Sequence, residues 1–213
     1  MSIKENINTL RSNIPKSIGI LAATKTRTAQ QIKEAIDSGI KIFGENYVQE
    51  AEKKYSEIKQ NNNINLYFAG HLQKNKINRA LKLFDVINVD SFEIAEAISR
   101  RTGKKIKVLI EVNIGNEPNK YGCKPEELIN LIKKLSKLKN IEVCGLMAMA
   151  PYFKDGEKTR PYFKKMRLLF EKIKKLKLKN VKMEILSLGM SNDYKIAIEE
   201  GSNLIRIGRS IFA

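Results

Sequence analysis

Tryptophan is absent from this chain, histidine occurs once and cysteine twice, among 213 residues. The lone His71 excludes metal sites built on several histidines and any acid–base pair of two imidazoles. Cys123 and Cys144 form no CxxC and have no neighbouring histidine. Two buried free thiols are therefore expected, rather than a disulfide framework or a zinc site. No apolar run approaches the roughly 20 residues that span a bilayer. The opening stretch, MSIKENINTLRSNIPKS, contains no apolar core of a signal peptide. Linkers rich in proline, glycine or serine, low-complexity stretches and internal repeats are missing too, which leaves no seam at which to divide the chain. Together these absences point to a soluble cytoplasmic protein folded as one domain over residues 1–213.

Negative charge is also scarce. Lysine and arginine number 40 against 23 aspartates and glutamates, a formal net charge of +17. Strong basicity marks some nucleic-acid partners, because cationic side chains displace the counterions condensed on phosphates. Here the lysines are spread along helical segments, as in KKLSKLK (133–139) and EKIKKLKLK (171–179), between the apolar positions that face a core. No RNP motif, zinc finger or basic zipper accompanies them. A solvated lysine-rich face is expected, and a nucleic-acid or membrane partner is not.

What the chain does contain is an alternation of strand and helix. Strand-like runs occur at 17–23, 40–43, 65–69, 86–90, 106–114, 141–147, 183–188 and 203–207. Most are apolar on both faces, as parallel strands covered by helices are. Between them the period lengthens to that of a helix. Leu128, Leu131, Ile132, Leu135 and Leu138 share one helical face, as do Phe163, Met166, Phe170 and Ile173. Thr28 and Gln31 have capping-box spacing, and Gly39 and Gly201 stand where helix ends need positive φ. The second of these helices is expected to begin near Ser191. Eight such alternations predict a single (β/α)8 TIM barrel preceded by an N-terminal helix. An open doubly wound sheet is the alternative, but no GxGxxG follows the first strand.

In such a barrel, chemistry collects where strands end. Those ends carry Lys25, then Gly44-Glu45-Asn46, Gly70-His71, Asn113, Met147, Gly189-Met190-Ser191 and Arg206-Ile207-Gly208. Lys25 directly follows the apolar ILAAT, so a partly desolvated amine able to form a Schiff base with an aldehyde is expected; a snorkelling rim lysine fits the same position. Ser191, after a glycine turn, reads as a phosphate ligand at a helix start or as a plain N-cap. Gly208, with Arg209 and Ser210 behind it, brings backbone towards the same anion. A phosphate cradle and a strand-end lysine on one face suit pyridoxal 5′-phosphate, and also a phosphosugar aldolase. Glu45 reads as a general base or as the partner of a barrel lysine. Met147 reads as packing that touches the pocket. His71 and Lys76 read as pocket or surface residues, and Tyr47 and Tyr121 as the places for an acid–base tyrosine.

The segments AATK (22–25), FGENYVQE (43–50), AGHLQKNK (69–76), EVNIGNEPNKYG (111–122), GLMAMAP (145–151), SLGMSND (187–193) and RIGRSIF (206–212) resemble the YggS/PROSC family of pyridoxal phosphate homeostasis proteins. The resemblance covers nearly the whole chain. It implies a barrel of the alanine racemase N-terminal domain type and pyridoxal 5′-phosphate as the cofactor. It also implies a part in intracellular pyridoxal phosphate homeostasis without established turnover. By position it makes Lys25 the Schiff-base residue, Gly189 and Ser191 phosphate binders, Arg206 the partner of the pyridine nitrogen, Gly208 the second half of the cradle, and Asn46 a pocket wall. One departure stands out. A small hydroxyl residue is usual after Arg-Ile-Gly, and Arg209 occupies that place, so the contact is lost or passes to Ser210 or the guanidinium. The family's short C-terminal tail is nearly absent as well, which puts the closing contacts of the barrel in question.

An arginine at the pyridine nitrogen cannot accept its proton, so the electron sink that drives carbanion chemistry is weakened. Alanine racemase adds a tyrosine from a partner subunit's extra β-domain, and no such domain is expected after residue 213 here. These features favour a carrier, monomeric, with apo-forms of pyridoxal phosphate enzymes as partners. The alternative is a weakly active pyridoxal phosphate-dependent amino-acid racemase or lyase.

Overall fold

The computed structural model describes residues 2–213, without the side chains of Glu57 and Asn61. Eight strands close in sequence order into a parallel barrel: Gly19–Ala23 (β1), Ile42–Glu45 (β2), Asn65–Phe68 (β3), Val86–Val89 (β4), Ile106–Val112 (β5), Ile141–Ala148 (β6), Val181–Ser187 (β7) and Leu204–Ile207 (β8). The helices that cover it are Ala29–Asp37 (α2), Val48–Asn61 (α3), Ile77–Leu83 (α4), Phe92–Arg100 (α5), Leu128–Leu135 (α6), Arg160–Lys175 (α7), Tyr194–Glu199 (α8) and Arg209–Phe212 (α9). The expected extra helix, Ile3–Ser12 (α1), precedes β1. Among the described residues no helix is long and apolar enough to cross a membrane.

Side chains alternate across each strand, and this divides the apolar residues into two layers. Leu21, Tyr67, Val86, Leu109, Cys144, Met147 and Leu204 fill the inside of the barrel. A larger layer between strands and helices takes the opposite faces, with Phe163, Met166, Phe170 and Ile173 of α7 all buried in it. Gly44 belongs to the inner set: a Cβ there would lie 2.4 Å from Leu21 Cδ2, so only glycine leaves Leu21 its place. Both cysteines are buried free thiols.

Local signals held at most boundaries. Thr28 and Gln31 form the full capping box of α2. Gly39 and Gly201 adopt φ of +91° and +93° after their helices. Two boundaries differ from expectation. α6 stops at Leu135, and Leu138 packs from the turn beyond it. α8 begins at Tyr194 rather than near Ser191, because Asp193 Oδ1 takes the Met190 N–H at 2.6 Å and closes a turn first.

The closing contacts in question are present. β1 pairs with β8 from Gly19↔Leu204 to Ala22↔Ile207. Ile211 and Phe212 are buried, and Asn6 Nδ2 of α1 donates to the carbonyls of Ile211 and Ala213 at 3.1 and 3.2 Å. Lysines crowd the opposite pole: Lys104, Lys105, Lys137, Lys139, Lys177 and Lys179 are exposed in the loops that enter β5, β6 and β7.

Candidate functional site

A cleft of about 490 Å³ opens at the C-terminal end of the barrel, across β1, β2, β6, β7 and β8. Its lining includes Lys25, Asn46, Met147, Ser191, Arg206, Gly208 and Arg209. Lys25 is exposed at the rim, its Nζ 5.7 Å from the centre of the Tyr47 ring. The desolvation expected of it is therefore not seen; the rim position applies.

The backbone on either side of Lys25 is fixed by a buried network. Thr24 Oγ1 donates to Glu45 Oε1 at 2.7 Å and lies 2.7 Å from Tyr55 Oη. Lys54 Nζ donates to Thr24 O, Glu45 Oε1 and Glu50 Oε1 at 2.7, 2.9 and 2.6 Å. Glu50 Oε1 also accepts the Thr26 N–H at 2.7 Å. Thr26 has φ of +64°, a left-handed conformation that costs a β-branched residue roughly 1–2 kcal/mol, and that hydrogen bond helps hold it. Glu45 points outward, since Gly44 takes the inner face, so it is turned from the cleft and is no general base. It is the partner of a lysine, but one from α3. Burial pushes its carboxyl up, against the hydrogen bonds from Thr24 and Lys54. Sequence reasoning missed Lys54, Glu50, Thr24 and Tyr55. The i,i+4 spacing of Glu50 and Lys54 on α3 was the available signal.

In the same cleft two loops meet. Ser210 N donates to Ser191 Oγ at 3.4 Å, and Arg209 Nη2 to Asn192 Oδ1 at 3.3 Å. The main-chain N–H groups of Ser191, Asn192, Gly208 and Arg209 make no hydrogen bond among the described residues. Open N–H groups from two touching turns form an anion-binding concavity. Ser191 is therefore neither N-cap nor helix start, and its donors belong to the turn. Gly189 stands behind this face rather than on it. Its φ is +86°, and a Cβ there would meet Ala197 Cβ at 2.6 Å. Ser210 braces Ser191 from outside the lining; of the two substitutes for the missing hydroxyl, Arg209 is the one in the cleft.

Arg206 projects inside the barrel from β8 and is 7% exposed. Nη1 donates to Ser187 O and Oγ at 2.7 and 2.9 Å, and Nη2 to Ala148 O at 2.8 Å, while Nε makes none of these bonds. Burial pushes its pKa down to about 10, against the attraction of Glu111 and Asp193, so it stays charged at neutral pH.

A second cleft of about 450 Å³ occupies the β2–β5 side of the mouth and contains Tyr47, His71, Lys76, Glu111 and Tyr121. His71 Nδ1 lies 2.9 Å from Asp90 Oδ2, and its ring stacks on Tyr121 with centroids 4.0 Å apart. Glu111 was not singled out in the sequence. Its carboxyl is pushed up to about 7, first by burial and then by Asp90, against Arg206 and His71. An acid raised in this way keeps its proton in the folded state, so stability is full below the unfolded pKa near 4.5 and declines as pH rises to about 7. The decline is worth roughly 3 kcal/mol. Glu111→Gln is expected to flatten that slope, making the variant more stable than the parent at about pH 8 and equal to it at about pH 4. Urea denaturation at both pH values checks this.

Asn113 serves structure: its side chain bonds Glu117 O, Glu117 N and Lys120 O and shapes the loop after β5.

A closed parallel barrel, with a strand-end lysine and two loops of open N–H groups lining one cleft at its C-terminal end, defines a (β/α)8 fold. The model of the alanine racemase N-terminal domain matches residues 1–213. The chain belongs to that family and, within it, to the pyridoxal phosphate homeostasis proteins. The pyridoxal phosphate homeostasis protein of Aquifex aeolicus is 39% identical over 197 residues, covering 91% of this chain and 85% of that protein. PipY of Synechococcus elongatus, solved with PLP bound, is 32% identical with a TM-score of 0.90 over 100% of both chains. An alanine racemase of Clostridium difficile, 16% identical, has a TM-score of 0.81 over 99% of this chain and 56% of its own, and shares the fold.

Proposed function

We propose that this protein binds pyridoxal 5′-phosphate in the β1/β7/β8 half of the mouth, holds it as a Schiff base on Lys25, and serves its intracellular homeostasis as a carrier rather than a turnover enzyme. The observation that carries this reading is the pairing of Lys25 with the open donors of Ser191, Asn192, Gly208 and Arg209 in one cleft. PLP in the related PipY supports it. The donor set fits a phosphate dianion: four N–H groups, the Ser191 hydroxyl and the Arg209 guanidinium. Met147 and Leu21 offer an apolar floor to a ring, with Asn46 at its side.

When bound, pyridoxal phosphate supplies an aldehyde carbon for an amine and a ring that withdraws electrons. Lys25 provides the amine, on backbone that the Lys54 network holds still. Arg206 is charged and donor-only, so it can hold no proton for the ring nitrogen, and this restrains carbanion chemistry. The protein acts in the cytoplasm as a monomer and hands cofactor to apo-forms of pyridoxal phosphate enzymes.

The test is a visible absorbance titration with pyridoxal phosphate, followed by borohydride reduction and peptide mapping. A new chromophore and a reduced adduct on the Lys25 peptide are expected, with no exchange of amino-acid α-hydrogens in deuterated water. No chromophore would overturn the binding reading, and exchange would overturn the carrier reading.

A further inference from the structure

The two halves of the barrel mouth differ in chemistry. The β1/β7/β8 half is rich in donors, whereas the floor of the β2–β5 half is an acceptor. Glu111 projects inward from β5, is 7% exposed, lines the cleft and accepts no side-chain hydrogen bond among the described residues. A buried carboxylate without donors is costly, and its neighbour Asp90 makes it costlier. Asp90 Oδ2 is engaged by His71 Nδ1, which donates to it at 2.9 Å. Lys76 lines the same cleft but forms no ion pair with Glu111. Above the floor stand the rings of Tyr47 and Tyr121, both exposed, and aromatic faces attract cations.

We propose that the β2–β5 half of the mouth is a second binding site, one that takes the protonated primary amine of a small ligand on the Glu111 carboxylate, walled by Tyr47 and the His71–Tyr121 stack. An ammonium group brings three donors and a positive charge to a floor whose carboxylate has neither. An anion there would meet the Glu111 carboxylate, and an alcohol would leave its charge uncompensated. The site uses none of Lys25, Ser191 or Arg209, so it stands apart from the cofactor reading. Asn46, Ala69 and Met149 line both clefts, so an amine held here lies next to the lysine cleft.

Isothermal titration calorimetry of the full chain, prepared free of pyridoxal phosphate, tests the proposal at about pH 8. The probes are propylamine, L-alanine, propionate and propanol. Without the cofactor no imine can form, so failure here is separate from failure of the Schiff-base reading. Propylamine is expected to bind and propionate and propanol are not. Glu111→Gln is expected to weaken amine binding by roughly tenfold to a hundredfold, as loss of a charged hydrogen bond does. Equal or tighter binding of L-alanine would name amino acids as the source of the amine; propylamine alone would name simple amines. Binding of propionate in preference to propylamine, equal amine affinity in Glu111→Gln, or no binding of either amine overturns the proposal. Since Glu111→Gln is expected to be the more stable chain at this pH, loss of binding in it is not loss of folding.

Discussion

Lys25→Ala is expected to remain colourless when pyridoxal phosphate is added, and to yield no borohydride adduct. The fold should survive intact. Lys25 is exposed, and its side chain takes no part in the network that surrounds Thr24 and Thr26. Removing such a side chain changes stability by about 0.5 kcal/mol or less. The cradle amides and Arg209 are untouched, so weak retention of the free cofactor is still expected in equilibrium dialysis. Lys25→Arg separates charge from nucleophilicity. It preserves the cation at the rim but offers no amine to an aldehyde, and it too should be colourless. A chromophore in either variant would move the covalent attachment to another lysine of the mouth, with Lys120, which also lines the cleft, as the first to inspect.

Lys54→Met is expected to have the largest effect on stability. Lys54 Nζ is the cationic partner of Glu45, whose side chain is fully buried, and Glu45 Oε2 already has no hydrogen-bond partner. Removing one member of a buried pair leaves an uncompensated charge, at about 3–5 kcal/mol. For a chain of this length each kcal/mol lowers the melting temperature by about 2–4 °C. Burial already raises the Glu45 carboxyl. A protonated, neutral Glu45 suffers less without its lysine, so the loss should be smaller at about pH 5 than at about pH 8. Adding Glu45→Gln to Lys54→Met should recover much of it. Thermal melts of the single and double variants at both pH values check each step. Because Lys54 also holds Thr24 O, the single variant should bind pyridoxal phosphate more weakly even below its melting point.

The barrel and the Lys25–Ser191–Arg206–Gly208 arrangement were legible in the sequence for identifiable reasons. Parallel strands buried on both faces leave continuous apolar runs, and residues that follow such runs must stand at strand ends. The network around Thr24 was not legible, because its members come from β1, β2 and α3 and only the closed barrel brings them together. Glu45 shows the limit most clearly: its neighbour Gly44 faces inward, so Glu45 faces α3, and one residue of register separates a general base from a structural anion. Glu111 was hidden inside a strand, flanked directly by the apolar Ile110 and Val112. The end of α6 and the start of α8 were misplaced because an apolar stripe continues past Leu135, and because an aspartate two positions after Ser191 closes the turn.

The seam between β1 and β8 carries a consequence for biosynthesis. Lys25 stands at the end of the first strand, whereas Ser191, Arg206 and Gly208 follow the last two, and the first and last helices are tied through Asn6. Joining strands so distant in sequence costs loop-closure entropy and comes late in folding. On the proposed reading, a chain emerging from the ribosome carries the amine of Lys25 long before the loops that would hold a phosphate. Capture on that site would then be a mark of completed synthesis, unavailable to half-made chains.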